Sequence, residues 1–367
     1  MNAVIPYIDL PAQHRPIEEE LVAALRRVLA HGQFILGPEV AELEQRLAER
    51  LGVAHVVAVG NGTAALVLAL RLRAVGPGDA VIVPSHSFVA SATAVRLVGA
   101  TPIFADVDPE TMLVTAATIE AVLTSRVKAV MPVHLNGYPC ELDAIAELCA
   151  RRRVALIEDC AQAIGARHRG RSVGSHEIGC FSLHPLKVLS ALGDGGFISV
   201  AAPADAARLR LLRNIGLRDR DHCELVSGNS RLDTLQAAFL LVKLGHLDGW
   251  IAARRAHAAA YAAALAGHVQ LPPSAPHVEP VWSAFVVRHP RRDVLAAALR
   301  ERGIDAKSHY PLAIHQQAAF EDLDHGPLPV TERVVSEILS LPVTPELGVQ
   351  DRARVIDAVI AAVKELA

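Results

Sequence analysis

The chain has 367 residues, of which 51% are hydrophobic and 20% charged, and its formal net charge is −3. This composition is that of a packed globular protein of about two domains, and it excludes the disordered and low-complexity classes. The nearly neutral charge gives no reason to expect nucleic acid or an anionic membrane as a partner.

The N-terminus and the cysteines predict a cytoplasmic protein. Residues 1–9 lack the basic start and the long apolar core of a signal peptide. No apolar run approaches the roughly 20 residues that a membrane-spanning helix needs. Without a Cys-x-x-Cys pair, we expect buried, reduced thiols rather than disulfides or zinc ligands. The cysteines are Cys140, Cys149, Cys160, Cys180 and Cys223.

The first 51 residues predict two amphipathic helices separated by the connector 34–38. The first helix, within residues 14–31, carries apolar residues at helical spacing: Ile17, Leu21, Leu25 and Leu29. The second helix has an apolar face formed by Val40, Leu43, Leu47 and Leu51.

From residue 56 onward, short apolar runs alternate with helical stretches. The runs predict strands at 56–59, 80–83, 102–104, 129–132, 154–157 and 196–200. Helices are predicted from residue 63, from about residue 88, from residue 142 and around 204–213. Nearly continuous apolar strands between amphipathic helices indicate an α/β fold, with a largely parallel sheet covered on both faces.

The C-terminal part predicts a second, smaller unit. Residues 232–266 favour one long helix or a bent pair, and the proline-rich stretch 272–276 is the expected seam. Beyond it we expect a strand at 284–287, a helix at 293–302 and a closing helix from about residue 349. We predict a large domain of residues 1–250, including the N-terminal helices, and a small domain of residues 251–367.

Asp159 and Lys187 are the candidate reactive pair. Asp159 follows a predicted strand, and ligands bind at the carboxyl ends of strands in open α/β sheets. Lys187 lies in a later loop that continues into the glycine-rich segment 193–196. An acid and an amine so placed suit a pyridine-and-aldehyde cofactor, because the acid can keep the ring nitrogen protonated while the lysine forms a Schiff base. A helix cap at Asp159 is the alternative.

Other polar and aromatic residues on the same predicted rim are candidates for cofactor contacts. The segment Gly60-Asn61-Gly62-Thr63 lies between a strand and a helix, where free N–H groups suit a phosphate, although a plain turn fits equally well. It matches neither a Walker loop nor a dinucleotide fingerprint. Phe88 could stack on a flat ring or pack in the core. The seventeen histidines show no metal-ligand spacing, so we expect no metal site.

Taken together and in this order, these segments resemble the DegT/DnrJ/EryC1/StrS family of sugar aminotransferases, which are fold-type I enzymes that use pyridoxal 5′-phosphate. The resemblance covers nearly the whole chain, from Phe34-Ile35-Leu36-Gly37-Pro38 to Leu339-Ser340-Leu341-Pro342. It implies a large domain with a mainly parallel, seven-stranded sheet covered by helices, and a smaller α/β C-terminal domain.

The resemblance implies a role for each residue around the cofactor ring. Lys187 would form the Schiff base and carry the proton between the substrate and the cofactor. Asp159 would keep the pyridine nitrogen protonated, Gln162 would contact the ring hydroxyl, and Phe88 would stack on the ring face.

The resemblance also implies a phosphate site and a second subunit. The expected phosphate contacts are Gly62, Thr63, Ala64 and Ser182. In this family the asparagine that corresponds to Asn229 comes from the partner subunit, so the resemblance implies a homodimer with shared active sites.

The implied reaction moves an amino group from L-glutamate to a nucleotide-linked keto-sugar, and glutamine as the donor stays open. Asp194, in Gly-Asp-Gly-Gly, resembles members that act on 3-keto sugars, whereas His184, three residues before the lysine, resembles members that act on 4-keto sugars. We favour a 3-keto-6-deoxyhexose, and expect His309 and Tyr310 to border the acceptor pocket or to pack beside it.

Three alternatives to this function remain. The enzyme could aminate a 4-keto sugar or a keto-inositol, which would make it an aminocyclitol aminotransferase. A dehydratase-type relative lacks the Schiff-base lysine, so Lys187 argues against that class. A non-catalytic ligand sensor would not need the combination of Lys187, Asp159, Gln162 and Ser182.

Overall fold

The structure is a computed structural model that describes residues 4–366. Its helices are α1 Leu10–His14, α2 Glu18–His31, α3 Pro38–Leu51, α4 Gly62–Leu72, α5 Ala90–Leu97, α6 Ala116–Ala121, α7 Leu142–Arg152, α8 Pro203–Arg213, α9 Thr234–Leu265, α10 Arg292–Glu301, α11 Pro329–Glu337 and α12 Val349–Leu366. Single 3-10 turns occur at Arg15–Ile17, Leu135–Gly137, Ile314–Gln316 and Ala318–Phe320. None of the helices between residues 4 and 366 is long and apolar enough to cross a membrane.

The strands form one large sheet and two small ones. They are β1 His55–Val59, β2 Ala80–Pro84, β3 Thr101–Ala105, β4 Val127–Val130, β5 Ala155–Asp159, β6 Arg167–His168, β7 Arg171–Ser172, β8 Ile178–Ser182, β9 Gly196–Val200, β10 Val278–Glu279, β11 Phe285–Arg288 and β12 Ile338–Leu341. The large sheet has seven strands in the order β1-β9-β8-β5-β4-β2-β3. Adjacent strands of this sheet run parallel to each other, except that β9 is antiparallel to both of its neighbours, β1 and β8.

The predicted α/β fold is therefore confirmed, and helices cover both faces of the sheet. On one face α4, α5 and α8 pack in a core that contains Leu68, Val95 and Leu209. The other face carries a core formed with α3 and α9 and a separate core that includes Ile145 and Leu148 of α7. Because strands buried on both faces need no polar side, their sequences are nearly continuous apolar runs.

The smaller C-terminal unit has its own core, in which Phe285 and Leu339 of the antiparallel pair β11–β12 pack against α10, α12 and the end of α9. The N-terminal segment joins this unit, since Ile5 exchanges backbone hydrogen bonds with Gly303 and Asp305. Helix α9 is a single 32-residue helix rather than a bent pair, and it runs through residue 250 without a break. The domain division at residue 250 stays a prediction.

Two sequence expectations about the first helix and the cysteines need correction. Residues 14–31 do not form one helix: α1 and a 3-10 turn around Pro16 precede α2. Leu29 is 56% exposed, whereas Ala24 and Val28 are fully buried. Steps of four residues turn about 40° past a full turn, so repeated i+4 spacing rotates Leu29 out of the buried face. Cys223 is exposed rather than buried, because it lies in the surface loop between α8 and α9.

Candidate active site

The candidate site lies where three parallel-oriented strands end. Strand β2 ends at Pro84, β5 ends at Asp159 and β8 ends at Ser182. Since β2, β4, β5 and β8 are parallel to one another, these ends meet at one edge of the sheet. Lys187 lies in the turn that follows β8. The fold thus brings the predicted acid and the predicted amine to the same rim.

Asp159 is a buried carboxylate with neutral hydrogen-bond donors. Its side chain is 4% exposed, Oδ2 accepts a 2.8 Å hydrogen bond from Ser91 Oγ, and Oδ1 accepts one of 3.1 Å from the Ala161 N–H. Burial raises the pKa of Asp159, and the two hydrogen bonds and the charge of Lys187 offset only part of that rise. A cation bound beside this carboxylate would stabilise its charged form.

Lys187 lies in a turn that is closed by a backbone hydrogen bond. Its N–H donates a 2.8 Å hydrogen bond to the carbonyl of His184. Burial lowers the pKa of the Lys187 amine, while the negative charge of Asp159 opposes that shift. A lowered amine pKa increases the fraction of neutral, nucleophilic amine near neutral pH.

Gln162, Tyr310 and Phe88 form one side of the same site. Gln162 Nε2 donates to the Tyr310 hydroxyl at 3.3 Å, and Gln162 Oε1 accepts a 2.6 Å hydrogen bond from the Asn136 N–H. The rings of Phe88 and Tyr310 lie 5.4 Å apart with a tilt of 39°. Phe88 is 50% exposed, because α5 begins at Ala90 and leaves it in the preceding loop. The core-packing interpretation of Phe88 is therefore wrong.

His309 brings the C-terminal unit to the site. Its Nδ1 lies 3.1 Å from Ser340 Oγ, and its ring lies 5.2 Å from that of Tyr7. Burial lowers the pKa of His309, and the nearby positive charge of Lys187 lowers it further. Burial and the charge of Asp159 both raise the pKa of Tyr310. Both residues therefore lie within electrostatic reach of the predicted reactive pair.

The N-terminus of α4 offers an anion-binding end to the site. Asn61 caps this helix: its side chain accepts from the Ala64 N–H at 2.8 Å, and its carbonyl accepts from the Ala65 N–H at 3.0 Å. The first N–H groups of a helix have no partner within it, which leaves those of Gly62 and Thr63 for a ligand. Because Asn61 uses the Ala64 N–H, a phosphate contact of Ala64 stays a prediction.

Gly62 and Ser182 are pressed together at this helix start. A Cβ placed at Gly62 would lie 2.7 Å from the Cβ of Ser182 and 3.1 Å from its hydroxyl oxygen. No side chain fits there, so the helix N-terminus and the hydroxyl of Ser182 border the same small space. This arrangement suits a phosphate group.

The remaining predicted residues lie at the margin of the site. Asn229 is exposed, and the next residue, Ser230, accepts a 2.8 Å hydrogen bond from the Gly60 N–H. His184 and Asp194 are also exposed, and they flank the 2.8 Å bond from the Leu183 N–H to the Gly195 carbonyl. The structure therefore brings His184 and Asp194 to one edge, while the partner-subunit role of Asn229 stays a prediction.

Several residues that contact the site were absent from the sequence prediction. Ser91 binds Asp159 directly, Tyr7 and Ser340 contact His309, and Asn136 binds Gln162. Only Ser91 had a recognisable signal, because it lies four residues after Ser87 where a predicted helix begins at the rim. Ser340 lies in the segment 339–342 that belongs to the resemblance, but no local pattern assigned Ser340, Tyr7 or Asn136 to the site.

Comparison with known proteins decides the family. Residues 15–360 match the model of the DegT/DnrJ/EryC1/StrS aminotransferase family. The chain belongs to this family. A dTDP-3-amino-3,4,6-trideoxy-alpha-D-glucose transaminase from Streptomyces venezuelae is 43% identical over 97% of this chain and 95% of its own length. A UDP-N-acetyl-3-dehydro-alpha-D-glucosamine 3-aminotransferase from Acidithiobacillus ferrooxidans is 42% identical, over 96% of each chain.

A solved structure of similar sequence has the same fold as this aminotransferase. The crystal structure of S. venezuelae DesV in complex with a ketimine intermediate superposes with a TM-score of 0.97 at 42% identity, and each chain is covered to 99%. The prediction of a sugar aminotransferase fold is confirmed.

Behind this rim a buried hydrogen-bond network supports Asp159 of the aminotransferase. The neighbouring Glu158 is fully buried and accepts hydrogen bonds from His134 Nε2 at 3.1 Å and from the Gly174 N–H at 2.6 Å. His134 Nδ1 accepts from the Cys140 N–H at 3.1 Å, so the ring proton lies on Nε2. Burial raises the pKa of Glu158, but its hydrogen bonds to His134 and His176 outweigh this and lower it to about 2. Glu158 is therefore charged at neutral pH, and its hydrogen bonds hold the end of β5 against the segment 174–176.

Proposed function

We propose that this aminotransferase transfers the amino group of L-glutamate to the 3-keto group of a nucleotide-linked hexose, with pyridoxal 5′-phosphate as its cofactor. The observation that carries the proposal is the placement of Asp159, Lys187 and the α4 N-terminus around one rim of the sheet. A carboxylate can keep a pyridine nitrogen protonated, an amine can form a Schiff base with an aldehyde, and the N–H groups at a helix N-terminus can bind a phosphate. We further propose a cytoplasmic homodimer.

The residues present fit this cofactor. Asp159 is buried with neutral donors, so the protonated pyridine nitrogen would supply the cation that its carboxylate lacks. Gly62, Thr63 and Ser182 would hold the phosphate at the start of α4, where a Cβ at Gly62 has no room. Phe88, half-exposed at the rim, would cover one face of the ring.

When bound, pyridoxal phosphate supplies an electron-withdrawing ring that stabilises negative charge on the carbon from which a proton is removed. The chain supplies the proton transfers. The Lys187 amine, with its lowered pKa, would accept the proton from the substrate carbon and carry it between the substrate and the cofactor. Asp159 would keep the ring nitrogen protonated, and Gln162, which is hydrogen-bonded to Tyr310 and Asn136, would contact the ring hydroxyl.

The relatives and Asp194 support amination at carbon 3. The two relatives described above are named for a 3-amino sugar and for a 3-dehydro sugar. Asp194 lies in the Gly-Asp-Gly-Gly segment, which resembles that of the 3-keto members. His184 is also exposed and lies three residues before Lys187, as in the 4-keto members, so it favours a second candidate, a 4-keto sugar.

Exposed apolar residues near the site support a homodimer. Large apolar side chains are usually buried, so a group of exposed ones marks an interaction surface. Ile35 bridges Asp233, which places the connector 34–36 beside the segment that carries Asn229. The exposed apolar residues of this connector, of the loop between β8 and β9 and of the loop between α8 and α9 are Phe34, Ile35, Leu36, Leu186, Leu192, Ile215 and Val226. A second subunit docked here would bury them and place its Asn229 next to the site.

The substrate experiment is a panel of dTDP-, UDP- and GDP-linked 3-keto and 4-keto hexoses, and a keto-inositol, each incubated with L-glutamate or L-glutamine. Mass spectrometry and NMR of the product identify the aminated carbon. Amination of a 3-keto hexose supports the proposal, whereas product only from 4-keto sugars or keto-inositol overturns the assignment to carbon 3. Lys187→Ala should abolish turnover and the change of the visible cofactor absorbance on adding L-glutamate.

The dimer experiment mixes Lys187→Ala chains with Asn229→Ala chains. If Asn229 acts in the partner's site, some mixed dimers contain one intact site and regain activity that neither variant has alone. A monomer in sedimentation analysis, or mixed dimers without recovered activity, would contradict shared sites.

A further inference from the structure

A cluster of histidines and carboxylates lies apart from the active site, where three segments of the chain meet. Glu141 precedes α7, His168 ends β6, and His277 precedes β10. The Glu141 carboxylate contacts both imidazoles: Oε2 lies 3.1 Å from His168 Nε2, and Oε1 lies 2.7 Å from His277 Nε2. Potential ligand atoms of the three residues all lie within 4.8 Å of one another. The residues are far apart in sequence, which is why histidine spacing gave no sign of them.

This arrangement is close to the geometry of a zinc site. Ligand atoms at about 2.0–2.1 Å from a tetrahedral zinc ion lie about 3.3–3.4 Å apart, so small side-chain movements would accommodate the ion. Two imidazoles and one carboxylate are a donor set that zinc and neighbouring transition metals prefer. Glu141 and His277 are partly exposed, which gives an ion access from solvent.

An unpartnered ring nitrogen of the buried His168 also points to a bound ligand. Its side chain is 1% exposed, and its Nδ1 has no hydrogen-bond partner among residues 4–366. Asp143 Oδ2 lies 3.9 Å from this atom. A metal on Nε2 would fix the proton on Nδ1, and that N–H would then face the Asp143 carboxylate. Carboxylates bound to the far nitrogen of a metal-ligating histidine are a recurrent feature of such sites.

A second cluster, formed by His134, Glu158 and Cys160, does not suit a metal. His134 uses both ring nitrogens, and Glu158 accepts from His134, Gly174 and His176. Burial raises the pKa of the Cys160 thiol well above its usual value, which opposes formation of the thiolate that binds metals. Both ring nitrogens of His134 have hydrogen-bond partners, whereas Nδ1 of His168 has none among residues 4–366.

We propose that Glu141, His168 and His277 bind a divalent transition metal of the zinc class, with Asp143 orienting His168. The ion would join the start of α7, the β6–β7 hairpin and the segment before β10. That segment continues to Val281, whose N–H donates a 3.0 Å hydrogen bond to the Gly137 carbonyl. Gly137 lies beside Gln162, because a Cβ there would be 2.9 Å from the Gln162 carbonyl. The metal would therefore stabilise the fold beneath one wall of the active site.

The test uses the cofactor-loaded enzyme after dialysis against a chelator. Titration calorimetry with zinc chloride should show one ion per chain, and zinc should raise the thermal midpoint of unfolding. Glu141→Gln and His277→Ala should each weaken zinc binding more than 10-fold and remove most of the thermal shift, while Asp143→Asn should weaken binding by about 10-fold. Cobalt(II) should give a visible spectrum of a nitrogen-ligated site that is lost in His277→Ala.

His246→Ala is the matched control, because His246 also contacts a glutamate, Glu20, at 3.1 Å but forms no ligand cluster with a second histidine in the part of the chain that the structure describes. Zinc affinity in this variant should equal that of the unmodified enzyme. Unchanged cofactor absorbance shows that each variant is folded, and Glu141→Gln keeps the test valid if His277→Ala is unstable. Absence of zinc binding, or equal binding in Glu141→Gln and the unmodified enzyme, would overturn the proposal.

Discussion

The hydroxyl of Ser91 donates a 2.8 Å hydrogen bond to Oδ2 of Asp159, which ties the first turn of α5 to the end of β5. Ser87 Oγ lies 3.1 Å from Ser91 Oγ, so the loop after β2 joins the same network. The hydrogen bond from Ser91 lowers the pKa of Asp159, whereas burial, the larger effect, raises it. The ionisation of Asp159 therefore depends on Ser91 of α5, a helix that lies far from Asp159 in the sequence.

Ser91→Ala should weaken cofactor binding. Without the hydroxyl the pKa of Asp159 rises further, so a smaller fraction of the enzyme holds the carboxylate that pairs with a protonated ring. A hydrogen bond to a charged group contributes about 1.5–3 kcal/mol, so we expect a loss of cofactor affinity of about 10-fold or more. Absorbance titration with pyridoxal phosphate across the neutral pH range measures the affinity, and the deficit should grow as the pH falls.

Thr93→Ala is the control for Ser91→Ala. Thr93 lies on the same helix and loses a hydroxyl of similar size, but its Oγ1 bonds to the Val89 carbonyl rather than to Asp159. Cofactor affinity should be unchanged in this variant. Equal affinities in Ser91→Ala and the unmodified enzyme would show that Ser91 does not sustain the charge of Asp159.

Gly62→Ala should also weaken cofactor binding, at the phosphate end of the site. The new Cβ would lie 2.7 Å from the Cβ of Ser182, so the helix start must move away from β8. Displaced N–H groups lose charge-assisted hydrogen bonds to the phosphate, and we expect an affinity loss of about 10- to 100-fold. Fluorescence titration of cofactor-free protein with pyridoxal phosphate measures it.

Gly245→Ala is the matched control, because a Cβ at Gly245 meets nothing within 4 Å and the residue lies inside α9. Alanine in a helix interior is favoured over glycine, so the free energy of unfolding should rise by about 0.5–1 kcal/mol while cofactor affinity stays the same. Gly62→Ala with unaltered affinity would contradict a phosphate site at the start of α4.

Much of the fold could be predicted from local pattern. The apolar face of α3 is buried as expected, since Val40, Leu43, Leu47 and Leu51 are at most 3% exposed. Strand ends follow from apolar runs, and the rule that ligands bind at those ends led to Asp159, while Lys187 was chosen from the later loop that continues into segment 193–196. The predictions of the helices and strands succeed because burial of a periodic pattern dominates the energetics of regular elements, whereas the roles of Asp159 and Lys187 stay predictions.

Contacts between distant segments could not be predicted in this way. Ser91 and Asp159 are 68 positions apart, and the contact of Tyr7 with His309 joins opposite ends of the chain. The antiparallel direction of β9 could not be predicted either, because a buried strand has the same apolar sequence in parallel and in antiparallel pairing. Such features depend on how whole elements dock, which single-residue periodicity does not encode.

Glu158→Gln should destabilise the protein in a pH-dependent way. The pKa of Glu158 in the folded protein is about 2, below its ordinary value of 4.5, so the charged form contributes stability above that ordinary value. The contribution is on the order of 3 kcal/mol at neutral pH and is lost as the pH falls toward 2. Urea unfolding should show a large deficit in Glu158→Gln at neutral pH that shrinks in acid.

Glu147→Gln serves as the control for Glu158→Gln. Glu147 is an exposed residue of α7 whose only ion-pair partner among the described residues is Arg151 at 3.5 Å. An exposed pair of this kind contributes little, so its substitution should change the urea midpoint only slightly at any pH. A deficit in Glu158→Gln that stays constant between neutral and acidic pH would refute the assigned linkage.

Lys243→Met should remove the rise of the free energy of unfolding with pH in the alkaline range. Lys243 is a fully buried lysine of α9 whose Nζ lies 2.8 Å from His14 Nε2 and 3.2 Å from Ser190 Oγ. Burial lowers its pKa to about 8 from 10.5, so the unfolded chain binds more protons and stability rises with pH between these values. Urea midpoints measured across this range should lose that rise in Lys243→Met, but retain it in a control substitution of the partly exposed Lys128. A rise that persists in Lys243→Met would assign it to another group.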